Sequence, residues 1–167
     1  MNANVTKARL EKEANERKKI EDTLSMKVLK TGDAVNFPKF GDSIQMHYVG
    51  FLEDGTMFDN SYNRGVPMCF IYGQNMVVKG IEMALPVLSR GERARIKLTP
   101  DLAYGPKGYP PVIPPGATII YEVELVTFTS VGHAEMVQRN NRANMGAAAA
   151  AISAVASVTN LSASPGP

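Results

Sequence analysis

Residues 43–52, with the sequence SIQMHYVGFL, decide the fold class of this chain. Ile44, Met46 and Tyr48 occupy every second position, and this period of two places them on one face of a β-strand. The next four residues, EDGT at 53–56, have the composition of a tight turn. The stretch therefore predicts a strand with one apolar face that ends in a tight turn.

The sequence on both sides of this strand predicts more strands and one helix. Four stretches have strand patterns: residues 26–31, 68–72, 93–98 and 118–128. Residues 77–89 instead place their apolar side chains at helical spacing. Several strands with one short helix and no βαβ rhythm predict an α+β fold with an antiparallel sheet, and we expect one face of that sheet to pack on the helix.

The two ends of the chain differ from this middle region, which we take as a domain spanning residues 26–130. Residues 1–25 carry opposite charges four positions apart and no continuous apolar stripe, which predicts a charged, solvated helix that extends away from the domain. Leu10 and Leu24 have the spacing of a coiled coil, but Arg17 interrupts it. The Ala-rich residues 131–167 are either a helical extension or partly disordered.

Composition excludes several classes of function. The 167 residues include 18 basic and 16 acidic side chains, a net charge of +2 that is too balanced for a nucleic-acid-binding surface. One cysteine and two histidines leave no intrachain disulfide and no thiolate or multi-histidine metal site, so we expect neither a metal nor a cofactor. No stretch approaches the roughly 20 apolar residues of a membrane span, and no signal peptide is visible.

The chain also offers little for nucleophilic catalysis. Cys69 lies at an alternating position of a predicted strand, which favours packing over reactivity, and His47 is expected to face solvent or to be a satisfied core histidine. Residues 102–116 instead form a long loop rich in Gly and Pro, beside a predicted helix. Prolines stiffen such a loop, and its apolar residues indicate the rim of a preformed pocket.

Five motifs occur in a fixed order: HYVGFLEDGTMFD at 47–59, VVKG at 77–80, GERA at 91–94, PDLAYG at 100–105 and IPPGAT at 113–118. From about residue 37 to residue 128 the chain thereby resembles the FKBP-type peptidyl-prolyl isomerases. The resemblance implies an antiparallel β half-barrel wrapped around one short helix, with the active pocket between sheet, helix and loops. It also implies isomerisation of X–Pro bonds in proteins.

The resemblance implies a set of site residues. The expected catalytic residues are Asp59, Tyr104, Phe58 and Tyr121. The expected substrate- and macrolide-binding residues are Tyr48, Arg64, Phe70, Val77, Val78, Ile81, Tyr109 and Ile113. Three positions depart from the common pattern of the family, because Ile81 replaces a Trp at the pocket floor, Met68 an aromatic residue and Tyr109 a His.

Each implied residue has an expected role. The proline ring would sit against Ile81, and the Tyr104 hydroxyl and the Val78 N–H would donate to substrate carbonyls. Asp59 would orient Tyr48 or Arg64, or meet a polar group of a ligand.

Two readings of function stay open at this point. The chain is expected to be an isomerase that acts on proline-containing peptides and proteins and is inhibited by rapamycin-type macrolides. The competing reading is a proline- or macrolide-binding module, or a chaperone, in which isomerisation is incidental.

The flanks add expectations of their own. A charged helix ahead of a single such domain resembles the macrophage infectivity potentiator subgroup, whose members are exported by microbial pathogens. That resemblance implies a secreted virulence factor with its leader removed, whereas the single cysteine and the lack of a signal predict the cytoplasm. Oligomerisation through the terminal helices is a further hypothesis.

Overall fold

The computed structural model describes residues 3–130, with side chains from residue 6 onward, so the predicted C-terminal extension at 131–167 lies outside the described residues. The helices and strands are α1 (Ala3–Thr23), β1 (Lys27–Lys30), β2 (Ser43–Leu52), β3 (Met57–Asn60), β4 (Met68–Ile71), α2 (Lys79–Ala84), β5 (Arg93–Leu98) and β6 (Ile119–Thr129). Short 3-10 turns cover Tyr62–Arg64, Leu85–Val87 and Pro100–Leu102. None of the helices in the described part is long and apolar enough to cross a membrane.

The six strands form one antiparallel sheet with β2 at its centre. The strand order is β1-β5-β6-β2-β3, and β4 also pairs with β2. On one side β2 pairs with β6 along its whole length, from Ser43 opposite Thr129 to Leu52 opposite Ile119. On the other side β4 pairs with the first half of β2 and β3 with its second half. The predicted α+β class with an antiparallel sheet is confirmed, and the sheet remains open.

The core lies between the sheet and α2. Buried side chains alternate along β5, where Ala94, Ile96 and Leu98 have no solvent exposure and the basic residues between them face out. From the helix, Ile81 and Ala84 enter the same cluster. The helix predicted over residues 77–89 is shorter than expected. It ends at Ala84 because Pro86 has no N–H with which to continue the α-helical hydrogen-bond ladder.

Helix α1 does not extend freely from the domain, so that expectation was wrong for its last turns. Leu24 has no solvent exposure and Ile20 packs against the core. The Arg17 guanidinium lies 5.5 Å from the centre of the Phe37 ring. The Leu24 carbonyl also accepts a hydrogen bond from the Lys97 N–H of β5 at 2.8 Å. The apolar stripe was missed in the sequence because it covers only the end of the helix.

Two smaller features differ from expectation. Strand β3 was not predicted, since its four residues directly follow the turn that ends β2. Cys69 was expected to pack in the core but is exposed, because it takes the solvent-facing position of β4 between the partly buried Met68 and the buried Phe70.

Candidate active site

One apolar cluster gathers most of the predicted site residues. Its buried members from that set are Tyr48, Phe70, Ile81, Ile113 and Tyr121. The partly buried ones that pack against it are Phe58, Val77, Val78 and Tyr104. Met68 and Met76 also pack there, although neither was assigned to the site. Sheet, helix and loops thus contribute to a single apolar region.

The Tyr121 ring of β6 organises the aromatic part of this region. Tyr48 and Phe58 each meet it edge to face, with ring centres 5.9 Å away in both pairs. Gly50 makes this approach possible, because a Cβ there would lie 2.6 Å from Phe58 Cζ and 3.0 Å from Tyr121 Cε1. Gly50 lies within the motif at residues 47–59 but was assigned no role from the sequence. Its position directly opposite Tyr121 in the sheet register explains why no side chain fits.

A polar network borders the aromatic group. The Tyr48 hydroxyl donates to Asp59 Oδ2 at 2.5 Å, and Arg64 Nη1 donates to Asp59 Oδ1 at 2.5 Å. Arg64 Nη2 also donates to the Tyr48 hydroxyl oxygen at 2.8 Å. The Asn60 N–H gives Asp59 Oδ1 a further bond at 2.8 Å. We refer to Tyr48, Asp59 and Arg64 as the Asp59 network, in which every pair is in direct contact.

Two members of this network keep their protonation state at neutral pH. Burial raises the pKa of Tyr48 strongly, and the hydrogen bond and charge of Asp59 raise it further. Burial opposes the charge on Arg64, but its hydrogen bonds to Asp59 and Tyr48 and the charge of Asp59 leave its pKa raised. Tyr48 is therefore a neutral phenol and Arg64 a cation, and neither is ready to exchange a proton.

A pair of neighbouring phenols, from Tyr104 and Tyr121, lies within the cluster. The hydroxyl oxygens of Tyr104 and Tyr121 are 3.0 Å apart, and either can donate. Burial raises the pKa of Tyr104. It also raises the pKa of Tyr121 well above its ordinary value, with the hydrogen bond to Tyr104 adding to the effect. Both rings are thus neutral, and when Tyr121 donates the shared bond, the Tyr104 O–H can donate to a ligand.

Helix α2 contributes its first turn to the site. Val78 is the N-cap residue, in an extended conformation, and its carbonyl accepts hydrogen bonds from the Ile81 and Glu82 N–H groups. This turn holds Ile81 inside the cluster, where 3% of its surface is exposed. An aliphatic residue therefore stands where the family resemblance implied an aromatic floor.

The predicted stiff loop is held by its own backbone. The Tyr109 N–H donates to the Ile113 carbonyl at 2.8 Å, and the Ile113 N–H donates back to Tyr109 at 2.9 Å. Gly108 has a φ of +61°, and a Cβ on it would lie 2.3 Å from the Pro114 carbonyl oxygen. The bridge directs Ile113 into the cluster, whereas the Tyr109 side chain is 37% exposed and does not belong to the cluster.

These side chains define what the site can do chemically. The region is apolar, with neutral phenol donors and one ion pair at its border. Among residues 3–130 no group of three or more His, Cys, Asp or Glu side chains could hold a metal ion. Such an arrangement suits the binding of an uncharged group through desolvation and hydrogen bonds better than it suits covalent catalysis.

Comparisons with known proteins place the chain in a family. The sequence model of the family described as FKBP-type peptidyl-prolyl cis-trans isomerase matches residues 35–126. FK506-binding protein 1 of Rhizopus delemar is 46% identical over 103 residues, which cover 62% of this chain and 95% of that protein. A peptidyl-prolyl cis-trans isomerase of Schizosaccharomyces pombe is 42% identical over 99 residues, covering 59% of this chain and 88% of that protein.

A solved structure agrees with these sequences. The crystal structure of AtFKBP13 superimposes with a TM-score of 0.58 at 30% identity and covers 62% of this chain and 91% of that one. The resemblance to macrophage infectivity potentiators gains no support from these relatives and stays a prediction. Because the family model matches more than half of this chain, the chain belongs to the FKBP-type peptidyl-prolyl cis-trans isomerases and is an enzyme of that activity.

Proposed function

We propose that this isomerase rotates X–Pro bonds by desolvating the amide and binding its twisted form in the apolar cluster around Tyr121. The observation that carries this mechanism is the combination of a buried aromatic group with the neutral hydroxyls of Tyr104 and Tyr121, 3.0 Å apart. Such a site offers desolvation and hydrogen bonds, which are the only contributions that rotation about a bond requires.

The physics of the reaction explains why these contributions suffice. Resonance in the C–N bond creates a barrier of about 18–20 kcal/mol. No covalent bond is made or broken, so the enzyme has only to bind the twisted amide more tightly than the planar one. Twisting removes resonance and makes the carbonyl less polar. A dry apolar pocket therefore penalises the planar form more than the twisted form.

Each wall of the pocket has its own role in this proposal. The proline ring lies against Ile81, between Phe70 and Tyr121, which are all buried. The Tyr104 O–H and the Val78 N–H donate to the carbonyls of the substrate. Tyr104 is suited to this because its partner Tyr121 can supply the hydrogen for their shared bond.

Asp59 holds the wall of the pocket and does not move protons. Both of its oxygens already accept hydrogen bonds, from the Tyr48 hydroxyl, the Arg64 guanidinium and the Asn60 N–H. A carboxylate held in this way fixes the positions of the Tyr48 ring and the Arg64 side chain. The competing role as a contact to a ligand remains open for the exposed quarter of the Asp59 side chain.

The mechanism is tested by removing single groups and measuring isomerisation of a proline peptide. Tyr104→Phe and Asp59→Val should each lower kcat/KM about tenfold, equivalent to about 1.4 kcal/mol, while the domain stays folded. Thr23→Val is the control, because it removes a hydroxyl that donates to the Lys19 carbonyl at the end of α1, outside the apolar cluster. Full activity in both site variants would overturn the assignment.

A second function, macrolide binding, is suggested by the name of the FK506-binding relatives and by the apolar floor of the site. We infer that a rapamycin-type macrolide occupies the same cluster and competes with proline peptides. Ile81 presents no aromatic face, so Ile81→Trp should tighten macrolide binding in a calorimetric titration. Tight macrolide binding by a chain without measurable turnover would favour the binding module over the enzyme mechanism.

Compartment and assembly stay as predicted from the sequence. The alternatives are a cytoplasmic enzyme and an exported one, and the N-terminus of the precursor distinguishes them. Gel filtration of the full chain against a form lacking residues 1–25 tests whether the terminal segments hold subunits together. Removal of Leu24 from the core must be considered in that comparison, because it also lowers stability.

A further inference from the structure

Ser61 is a polar residue without solvent exposure that sequence reasoning did not assign to the site. It directly follows β3, two residues after Asp59 and three before Arg64. Its Oγ lies 2.8 Å from the Tyr48 nitrogen, 3.1 Å from the Tyr48 carbonyl oxygen and 2.9 Å from His47 Nδ1. Its backbone N–H also donates to the Tyr48 carbonyl at 3.0 Å. One hydroxyl thus contacts both backbone groups of Tyr48.

These contacts determine where the hydrogen atoms lie. A serine hydroxyl has one hydrogen to donate and two lone pairs to accept with. The Tyr48 N–H takes one lone pair, and the hydroxyl hydrogen points at the Tyr48 carbonyl, since two oxygens 3.1 Å apart repel each other without a hydrogen between them. The remaining lone pair faces His47 Nδ1, so this arrangement is complete when Nδ1 carries a hydrogen. We therefore expect neutral His47 to be the Nδ1–H tautomer.

His47 is itself held in place on the outer face of the sheet. Its ring stacks on Tyr62, with centres 4.3 Å apart and planes 13° from parallel. The Tyr62 hydroxyl donates in turn to Glu124, the residue opposite His47 in the sheet register. The stacking on Tyr62 and the place of His47 opposite Glu124 in the sheet therefore fix the direction in which Nδ1 points.

We propose that Ser61 and His47 form a positioning pair that aligns the Asp59 network for the isomerisation reaction, an inference that rests on the proposed function. Tyr48 comes from β2, whereas Asp59 and Arg64 come from β3 and the turn after it. The bond from the Tyr48 hydroxyl to Asp59 at 2.5 Å and the bond from Arg64 Nη2 to the Tyr48 hydroxyl at 2.8 Å join the two segments, so a slip between them would disturb both bonds. Ser61 prevents that slip by holding the Tyr48 backbone, and His47 holds the Ser61 hydroxyl.

The test compares two buried serines. Ser61→Ala should lower kcat about tenfold with little change in KM, because the apolar cluster that binds the proline stays intact while the network loses its alignment. Ser89→Ala is the matched control, since its hydroxyl is equally buried but donates to Glu92 at 2.7 Å, away from the network. It should lower stability and leave kcat and KM unchanged.

A spectroscopic measurement separates positioning from a merely structural role. The ¹⁵N chemical shifts of the His47 ring should report the Nδ1–H tautomer in the wild-type protein and a loss of that preference in Ser61→Ala. His47→Phe, which keeps the stacking on Tyr62, serves as the second variant if Ser61→Ala does not fold. It should lower kcat by less than the tenfold expected for Ser61→Ala.

The outcomes discriminate between this inference and the proposed function. A wild-type Nε2–H tautomer, or unchanged kcat in both Ser61→Ala and His47→Phe, would overturn the positioning pair while leaving Tyr104→Phe and Asp59→Val impaired. Full activity in Tyr104→Phe and Asp59→Val would instead overturn the proposed function.

Discussion

Two arginine–carboxylate pairs in this protein differ in geometry. Arg64–Asp59 lies at the site, and Arg17–Glu92 lies where α1 meets the domain. Both oxygens of Asp59 accept hydrogen bonds, and Arg64 is one of the donors, at 2.5 Å. In Glu92 one oxygen accepts two bonds from Ser89, while the other has Arg17 Nη2 at 4.0 Å and no hydrogen-bond partner among the described residues.

The difference shows what each pair contributes. At the site the charges hold specific atoms in place, since each short bond fixes a direction as well as a distance. At the helix the contact is too long to fix either. The attachment of α1 therefore depends on burial of Leu24 and Ile20 and on the Arg17–Phe37 contact, with the ion pair as a minor part. We expect the first pair to serve activity and the second region to serve stability.

The largest expected effect lies in the helix attachment. Leu24→Ala should lower the free energy of unfolding by about 2–5 kcal/mol, because it empties a fully buried position. Leu10→Ala is the control on the same helix, where the side chain is 60% exposed and the change should be near zero. Denaturant titrations measure both. Equal small changes would mean that α1 is not attached through its apolar end.

The next effect is on Glu92. Glu92→Gln should lower the free energy of unfolding by about 2 kcal/mol, because the Ser89 N–H and hydroxyl lose a charged acceptor. It should leave kcat/KM for a proline peptide unchanged. A loss of activity without a loss of stability would contradict the division of roles between the two carboxylates.

The complementary substitution is made at the site. Asp59→Asn should lower kcat/KM about fivefold while changing the free energy of unfolding by about 1 kcal/mol or less, because the carboxylate is partly exposed but orders Tyr48 and Arg64. The peptide assay and a denaturant titration are run on the same preparation. The comparison fails if stability falls more than activity.

Arg17→Ala should have a smaller effect. We expect a loss of stability of about 0.5–1 kcal/mol, from the contact with the Phe37 ring and little from the ion pair with Glu92. The loss should change little between low and high salt. A loss that disappears in high salt would show instead that the ion pairs of Arg17, with Glu92 or with Glu21 on the same helix, account for it.

The smallest effect concerns alkaline pH. Burial, together with the hydrogen bond to Glu124, raises the pKa of Tyr62 to about 12 from an ordinary value of 10.0. The unfolded chain releases this proton first, so the stability contributed by neutral Tyr62 is complete below pH 10 and is lost as the pH rises towards 12. Tyr62→Phe should show a shallower fall of the unfolding free energy over that range. An identical slope would mean that Tyr62 is not shielded from solvent.

Local patterns predicted much of the fold. The bounds of β2 and β5 matched their alternating stretches, since a period of two is visible in a single strand. The attachment of α1 could not be predicted in this way. It depends on Leu24, Ile20 and Arg17 meeting groups from distant parts of the chain, and no local pattern encodes such contacts.

The site divides in the same way. Family resemblance supplied Tyr48, Asp59 and Arg64, which lie in direct contact, and also Tyr109, whose exposed side chain lies outside the apolar cluster. Neither Gly50 nor Ser61 was assigned a role. Their importance comes from a close approach of rings and from hydrogen bonds between two segments, and both depend on the strand register. A Ser directly after a strand gives no signal of being fully buried.

The pairing of β2 with β6 also has a consequence for folding during synthesis. Strand β2 starts at Ser43, but its full-length partner ends at Thr129, and β5 needs the same partner. During synthesis the two strands emerge far apart in time, so the sheet stays incomplete until nearly the whole domain has left the ribosome. The apolar face of β2 stays uncovered during this time. A nascent chain in that state is exposed to aggregation.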